Sequence, residues 1–336
     1  MKITFYEIEG WEEEIIRKEF AGEDILLSRE FVSSLHPPKE RESEVISVFV
    51  NSRVDASLLD ALPNLKCIAT RSTGYDHIDL AECKKRGIVV LYVPGYGDNT
   101  VAEFAFCLLL NLTRKMYQAV DRIKETGSFS LHGLRGIDLK GKTMGLLGTG
   151  RIGKEMARIS RGFGMGLVGF DPYPDQKFAE EVGLKYLSLE EMLGISDVIS
   201  IHCPHTPQTH HFLNMKNIGL IKKGAYLINT ARGGILETEA LVYALQNGIL
   251  AGAGLDVLEE EGDMKDELAL LLGGHPKETE LKVILQNHVL MRMPNVLVTP
   301  HNAFNSQEAL GRILATTIQN VRGFLNGKPE NSVSLP

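Results

Sequence analysis

Between Thr143 and Asp171 the chain reads as strand, glycine loop, helix, strand and acid, and no other stretch of its 336 residues constrains the fold as tightly. A short apolar run, Thr143–Leu147, leads into Gly148-Thr149-Gly150-Arg151-Ile152-Gly153, which opens a helix over 154–160. A second run, Leu167–Phe170, ends at Asp171. Glycine-rich turns are common, so the loop alone says little. Between a strand and a helix, with an acid closing the next strand, it suits a dinucleotide pyrophosphate. Gly148 then serves the tight turn, Gly150 the close approach of the phosphates, and Gly153 the packing of helix on strand. The amides of Arg151 and Ile152 face the anion at the helix N-terminus. Asp171 is expected to accept hydrogen bonds from the ribose hydroxyls and to repel a 2′-phosphate, which predicts NAD rather than NADP.

The alternation of strands and helices extends along most of the chain, the sign of βαβ units. Runs at Lys2–Tyr6, Asp24–Leu27, Val45–Val50, Lys66–Ala69 and Val89–Tyr92 predict a first parallel sheet. A long helix is expected from Thr100 to Lys124, apolar nearly all round at its start. A second sheet follows from Thr143–Leu147, Leu167–Phe170, Val198–His202, Ala225–Asn229, Gly252–Asp256 and Val296–Thr299. Ser188 and Glu191 form a capping box, and Asn247-Gly248 closes a helix over Thr238–Gln246. The last helix, 306–326, starts at Asn305 and Glu308 and ends at Gly327. Its stripe of Leu310, Ile313, Leu314, Thr317, Ile318, Val321, Phe324 and Leu325 needs a partner. The second sheet is complete by Thr299, so the helix is expected to return to the first domain. The expected fold is α/β with two doubly wound parallel-sheet domains. A Rossmann domain over 100–299 is inserted into a flavodoxin-like domain built from 1–99 and 300–336.

Composition narrows the partners. Lys and Arg number 36 against 43 Asp and Glu, a net charge of −7, so there is no basic footprint for nucleic acid. Cys67, Cys83, Cys107 and Cys203 lie far apart, without the spacing of a metal knuckle or redox pair, and are expected to be reduced thiols. Met1–Tyr6 runs straight into a strand pattern rather than a signal peptide. The longest apolar stretch, Val101–Leu112, contains Glu103 and falls short of the ~20 residues of a membrane span. These features predict a soluble cytoplasmic protein. His202, His205, His210 and His211 resemble a metal cluster, but His202 and His205 flank a proline turn, and no metal is expected. Asp76 suits a helix cap better than catalysis. The acidic, leucine-containing segment 259–277 reads as a solvated loop or short helix over the cleft, and neither His275 nor His288 is given a role.

Ligands of parallel sheets bind outside the carboxyl ends of strands. At those ends stand Arg232, then Asp256 followed shortly by Glu261, and finally His301. Reducing a 2-keto acid needs a cation for the carboxylate, a proton donor for the ketone oxygen, and a hydride source. Arg232 suits the first, because guanidinium is always charged and forks onto carboxylate. His301 suits the second, because imidazole titrates near neutrality. Glu261 beside it would favour the imidazolium that can donate a proton.

At this point the sequence resembles the D-isomer-specific 2-hydroxyacid dehydrogenases over nearly its whole length. The resemblance rests on Gly148–Gly153, Leu227-Ile228-Asn229-Thr230-Ala231-Arg232-Gly233-Gly234, Gly254-Leu255-Asp256-Val257 and Thr299-Pro300-His301-Asn302-Ala303-Phe304. It implies the same roles for Arg232, Glu261 and His301; the glutamate falls five residues after Asp256, with Glu259 and Glu260 as its neighbours. It further implies that Cys203, Pro204 and Thr209 border the adenosine half of NAD, that Thr230 and Ala231 line the nicotinamide side, and that Asp256 binds the carboxamide. The loop Ser72-Thr73-Gly74-Tyr75-Asp76 looks like the one whose amides hold the substrate carboxylate. Pro94-Gly95-Tyr96 is similar to the Pro-Ala-Tyr segment of the D-lactate dehydrogenases, where the tyrosine meets that carboxylate; Gly95 for alanine is a departure. The long interval between Glu261 and His301 leans the same way. The resemblance therefore implies NADH-dependent reduction of pyruvate to D-lactate in a cleft between domains, by a homodimer joined through Val101–Leu112 and Phe129–Leu139. Its rivals are a glyoxylate or hydroxypyruvate reductase and a corepressor-like protein that senses NAD(H) without turnover.

Overall fold

Eleven of the twelve strands among the described residues coincide with the apolar runs to within two residues at either end, because each run is bounded by turn residues that cannot extend the ladder. The computed structural model describes residues 1–261 and 278–334, and the chain divides into two compact units, 1–96 with 306–336, and 97–305. The segment expected as a loop or short helix over 259–277 lies, beyond Glu261, outside the described residues, as does His275.

The first unit contains β1 (Lys2–Phe5), α1 (Gly10–Glu19), β2 (Asp24–Leu27), β3 (Val45–Val48), α2 (Ala56–Asp60), β4 (Cys67–Thr70), α3 (Leu80–Lys85) and β5 (Val89–Leu91). Its five strands are all parallel, in the order β2-β1-β3-β4-β5, the flavodoxin-like arrangement. β3 and β4 are buried at every position, as central strands covered on both faces must be.

The second unit opens with α4 (Asp98–Arg114) and α5 (Met116–Thr126). Then come β6 (Thr143–Leu147), α6 (Arg151–Gly162), β7 (Gly166–Phe170), α7 (Gln176–Val182), β8 (Leu184–Tyr186), α8 (Leu189–Ile195) and β9 (Val198–Ile201). It closes with β10 (Ala225–Asn229), α9 (Thr238–Gln246), β11 (Leu250–Leu255), α10 (Glu278–Arg292) and β12 (Val296–Val298). The sheet is parallel throughout, β12-β11-β10-β9-β6-β7-β8, so the order reverses beside β6, the strand that feeds the glycine loop. The final helix, α11 (Gln307–Leu325), belongs to the first unit, where Leu314, Ile318 and Val321 pack with Ile3, Phe5 and Leu91. Burying an aliphatic or aromatic side chain of this size contributes about 1.5–3 kcal/mol, enough to hold the helix there.

Two expectations need correction. The helix expected over Thr100–Lys124 is two helices, broken at Lys115, whose φ is +52°. The Thr113 carbonyl accepts from Ile137 N–H at 2.9 Å, so an incoming segment takes the acceptor that would continue the helical ladder. α4 is buried along one side, at Ala102, Ala105, Phe106, Leu108, Leu109 and Leu112, where Gly254 leaves the room at the sheet that Leu108 fills, while Glu103 and Cys107 are exposed. α5 has no buried residue. α11 is capped by Ser306, whose Oγ accepts from Ala309 N–H at 3.2 Å, rather than by Asn305. One strand, β8, carries no readable pattern, being three residues long with Lys185 exposed. Among the described residues no helix is long and apolar enough to cross a membrane.

Candidate active site

The glycine loop is shaped by close approach. Gly148 has φ +93°, and a Cβ there would stand 2.7 Å from the Cys203 amide nitrogen. A Cβ at Gly153 would lie 2.3 Å from the Gly148 carbonyl oxygen, so only glycine lets α6 start directly against the turn. At Gly150 nothing lies within 4 Å of a Cβ, and this open side is where a pyrophosphate would approach the first amides of α6, those of Arg151 and Ile152. Arg151 leans toward Asp98, its Nε 3.5 Å from Oδ1.

Asp171 follows β7 directly and is half-buried. Its Oδ2 accepts from the Thr149 amide (2.7 Å) and Thr149 Oγ1 (2.9 Å), and its Oδ1 from the Tyr173 amide (2.8 Å). The acid is therefore tied into the middle of the glycine loop. An ionised carboxylate has about four acceptor sites, which leaves capacity for a ribose hydroxyl. Across the loop, Thr209 Oγ1 donates to the Pro204 carbonyl at 2.6 Å and accepts from the Thr206 amide at 2.7 Å, closing the turn after Cys203. Burial pushes the Cys203 thiol up to about 11, so it stays protonated. Thr230 is buried, and its Oγ1 has no hydrogen-bond partner. An orphaned hydroxyl costs about 1–3 kcal/mol unless something binds it. This hydroxyl, the open side at Gly150 and the acid after β7 fit a dinucleotide.

The turn that carries His301 is built on Asp256. That residue is fully buried, and its carboxylate accepts from Thr299 Oγ1 (2.6 Å), the Asn302 amide (2.8 Å) and the Ala303 amide (2.8 Å). Burial raises its carboxyl above the usual range, against the pull of these bonds and of His301. Three of the carboxylate's acceptor sites thus hold the turn, out of about four. His301 takes φ +53°, and its amide donates to the Asp256 carbonyl at 2.9 Å. A non-glycine residue in this region costs about 1–3 kcal/mol and persists where its surroundings over-determine it.

His301 Nδ1 lies 2.7 Å from Glu261 Oε1, with both side chains about one-third exposed. Of the three consecutive acids, only Glu261 makes this contact: Glu259 is engaged by His211 and Thr238. Arg232 follows β10 and is half-buried; its Nη1 donates to the Ala231 carbonyl at 2.8 Å, and Asn229 Nδ2 donates to the Arg232 carbonyl at 3.0 Å. The Arg232 and Glu261 segments meet through Gly233, where a Cβ would stand 2.1 Å from the Leu258 carbonyl carbon. That close contact, together with the His211 and Glu259 pairing, had no signal in the sequence beyond a second glycine after the arginine.

Of the four histidines, His205, His210 and His211 touch in succession, and His202 bonds a serine. His202 Nε2 lies 2.8 Å from Ser200 Oγ, His205 Nε2 3.1 Å from His210 Nδ1, and His211 Nε2 2.5 Å from Glu259 Oε1. Among the described residues no group of three or more His, Cys, Asp and Glu side chains is arranged to hold a metal ion.

Thr73, Gly74, Tyr75 and Tyr96 belong to the first unit. The loop of Thr73, Gly74 and Tyr75 follows β4 and is held from below, whereas Tyr96 follows β5: Ser72 Oγ donates to the Gly74 carbonyl (2.5 Å), Thr73 Oγ1 to the Val93 carbonyl (2.7 Å), and Tyr75 packs edge-on against Tyr92. Arg71, buried beneath it, donates to the Glu7 carbonyl at 2.6 Å. The Tyr96 carbonyl accepts from Arg312 Nε at 2.6 Å, which ties the segment after β5 to α11.

A sequence profile of the D-isomer specific 2-hydroxyacid dehydrogenase NAD binding domain matches residues 106–303. A D-lactate dehydrogenase of Escherichia coli is 35% identical over 337 residues, 98% of each chain. A glyoxylate reductase of Thermococcus litoralis is 35% identical over 338 residues, 98% of this chain and 91% of its own. Among solved structures, a D-lactate dehydrogenase from Aquifex aeolicus complexed with NAD and lactic acid is similar with a TM-score of 0.83 and 35% identity, covering 97% of this chain and 96% of its own.

Proposed function

This chain belongs to the D-isomer-specific 2-hydroxyacid dehydrogenase family, NAD-dependent oxidoreductases, and on that premise we propose that it reduces pyruvate to D-lactate. The observation that carries this reading is the Glu261–His301 pair at 2.7 Å. The neutral imidazole has one N–H, and a carboxylate at Nδ1 fixes it there; on protonation Nε2 gains the second. Nε2 is then the donor to the ketone oxygen, and Glu261 stabilises the charge carried meanwhile. Arg232 holds the substrate carboxylate, and the amides of Thr73, Gly74 and Tyr75, with Tyr96, contribute to binding that anion. The cofactor supplies the hydride when bound. Gly148–Gly153 bind its pyrophosphate, Asp171 its ribose, Cys203, Pro204 and Thr209 its adenosine half, and Thr230 and Ala231 its nicotinamide side. Asp256 serves by holding the His301 turn.

The experiment is NADH and NADPH oxidation with a panel of 2-keto acids. Pyruvate with NADH is expected to give the highest kcat/KM. A clear preference for glyoxylate or hydroxypyruvate would replace the substrate assignment, a second reading favoured by the glyoxylate reductase among the relatives. NADH binding without turnover of any keto acid would overturn the reading.

We also propose a homodimer through α5. Met116, Tyr117, Val120 and Ile123 are exposed on it, as are Phe129 and Leu131 beyond its end, a concentration of apolar side chains rarely left to water. We further propose a cytoplasmic location, where Cys67, Cys83, Cys107 and Cys203 are kept as thiols.

A further inference from the structure

Glu259 stands two residues before Glu261, yet its surroundings are those of an interior group. Its side chain is 10% exposed. Oε1 accepts from His211 Nε2 at 2.5 Å, and Oε2 accepts from Thr238 Oγ1 at 2.7 Å and from the Thr238 amide at 3.2 Å. Its backbone carbonyl accepts from Asn287 Nδ2 at 2.8 Å. A carboxylate withdrawn from water this far is tolerated when donors surround it, and here they come from the loop before β10, the start of α9 and α10.

His211 is itself held firmly. Its amide donates to the Gly234 carbonyl at 2.8 Å, its carbonyl accepts from Asn214 Nδ2 at 2.7 Å, and its ring stacks on His210 with centroids 4.0 Å apart. Gly234 lies two residues past Arg232, and the Gly233 backbone presses on Leu258 and Glu259. His211 and Glu259 therefore bolt the segment after Arg232 to the segment before Glu261. Between the bolt and Glu261 lies Glu260, with φ +55°. This turn aims Glu261 away from Glu259, toward His301. A residue in that backbone region needs its neighbours fixed on both sides, and Glu259 is the fixed point on one of them.

We propose that Glu259, clamped between His211 and Thr238, is a positioning residue that sets the angle at which Glu261 meets His301. It touches no reacting atom. The inference rests on Glu261 and His301 acting as the proton-donating pair, and its test is built to fail separately from that reading.

Three variants of the full chain serve: Glu259→Ala, Glu259→Gln and Glu261→Gln. Glu259→Gln keeps an acceptor for Thr238 and presents its amide N–H to His211 Nε2, which accepts in the Nδ1–H tautomer. Each is measured for thermal unfolding, NADH affinity, kcat and KM with pyruvate, and the imidazole nitrogen NMR signals of His301. In Glu259→Ala, kcat is expected to fall by about 10²-fold, the loss that a misplacement of about 1 Å produces, with KM and NADH affinity little changed. The His301 signals move toward those of Glu261→Gln, and Glu259→Gln recovers most of the rate and the native signals. Native His301 signals in Glu259→Ala would overturn the proposal, as would parallel loss of NADH affinity, melting temperature and kcat without rescue by glutamine. The NMR comparison holds even if the wild type turns over no keto acid, because it reads the pair rather than the reaction.

Discussion

Glu261 Oε1 lies 2.7 Å from Nδ1 of His301, a residue 40 positions further along the chain. The contact leaves Nε2 as the imidazole nitrogen available to substrate and places a negative charge beside the group that must carry a proton. His301→Ala is expected to lower kcat with pyruvate by about 10²- to 10⁴-fold, the usual worth of a positioned general acid, while NADH affinity is kept. Glu261→Gln keeps the shape and removes the charge. It should lower kcat with pyruvate at unchanged NADH affinity, because the proton-donating form of His301 loses its counter-charge. Stopped-flow NADH binding and steady-state kcat test both; unchanged turnover in His301→Ala would remove the assignment.

The glycine loop separates folding from binding. Gly153→Ala forces a Cβ to 2.3 Å from the Gly148 carbonyl and should lower both melting temperature and NADH affinity. Gly150→Ala meets nothing within 4 Å and should melt like the wild type while losing NADH affinity. Calorimetric unfolding beside NADH titration distinguishes the two; normal NADH binding by Gly150→Ala would contradict a pyrophosphate at that loop.

Asp171→Ala removes the acceptor of three bonds, two of them from Thr149, and the charge that opposes a 2′-phosphate. NADH affinity should fall and the ratio of NADPH to NADH efficiency should rise. A wild type that uses both cofactors equally would show that Asp171 does not discriminate.

His202 gives a pH dependence of stability. Burial lowers its pKa from 6.5 to about 4, so between those values the unfolded chain binds a proton that the folded one refuses. Stability is then complete above pH 6.5 and declines as pH falls toward 4, by about 3 kcal/mol at most for a shift of this size. Urea unfolding across pH 4 to 7 is expected to show a shallower decline in His202→Asn than in the wild type. Identical slopes would mean that His202 is protonated in the fold.

The α5 face predicts an oligomer. Val120→Glu and Ile123→Lys place charges on an apolar surface and should convert a dimer to monomers in sedimentation. A wild-type chain that sediments as a monomer at micromolar concentration would exclude this interface.

The sequence by itself determined what short-range physics dictates. Runs such as Val198–Ile201 read as strands because they are β-branched at all but Ser200 and end in a proline turn. Gly148 and Gly153 announced a strand-to-helix turn because no side chain fits there. The capping box of Ser188 and Glu191 and the stop at Asn247-Gly248 are local bonds written in neighbouring residues. What only the tertiary structure decided are relations between segments distant in the chain. The break at Lys115 follows from Ile137 taking the Thr113 carbonyl, which nothing near Lys115 encodes. The choice of Glu261 over Glu259 as partner of His301 follows from His211 and Thr238 occupying the other acid. That Asp256 accepts three hydrogen bonds from the His301 turn is equally a relation between distant segments. Local pattern records which groups a segment offers, whereas the partner of a buried acid depends on which donors the packing of other segments brings within 3 Å.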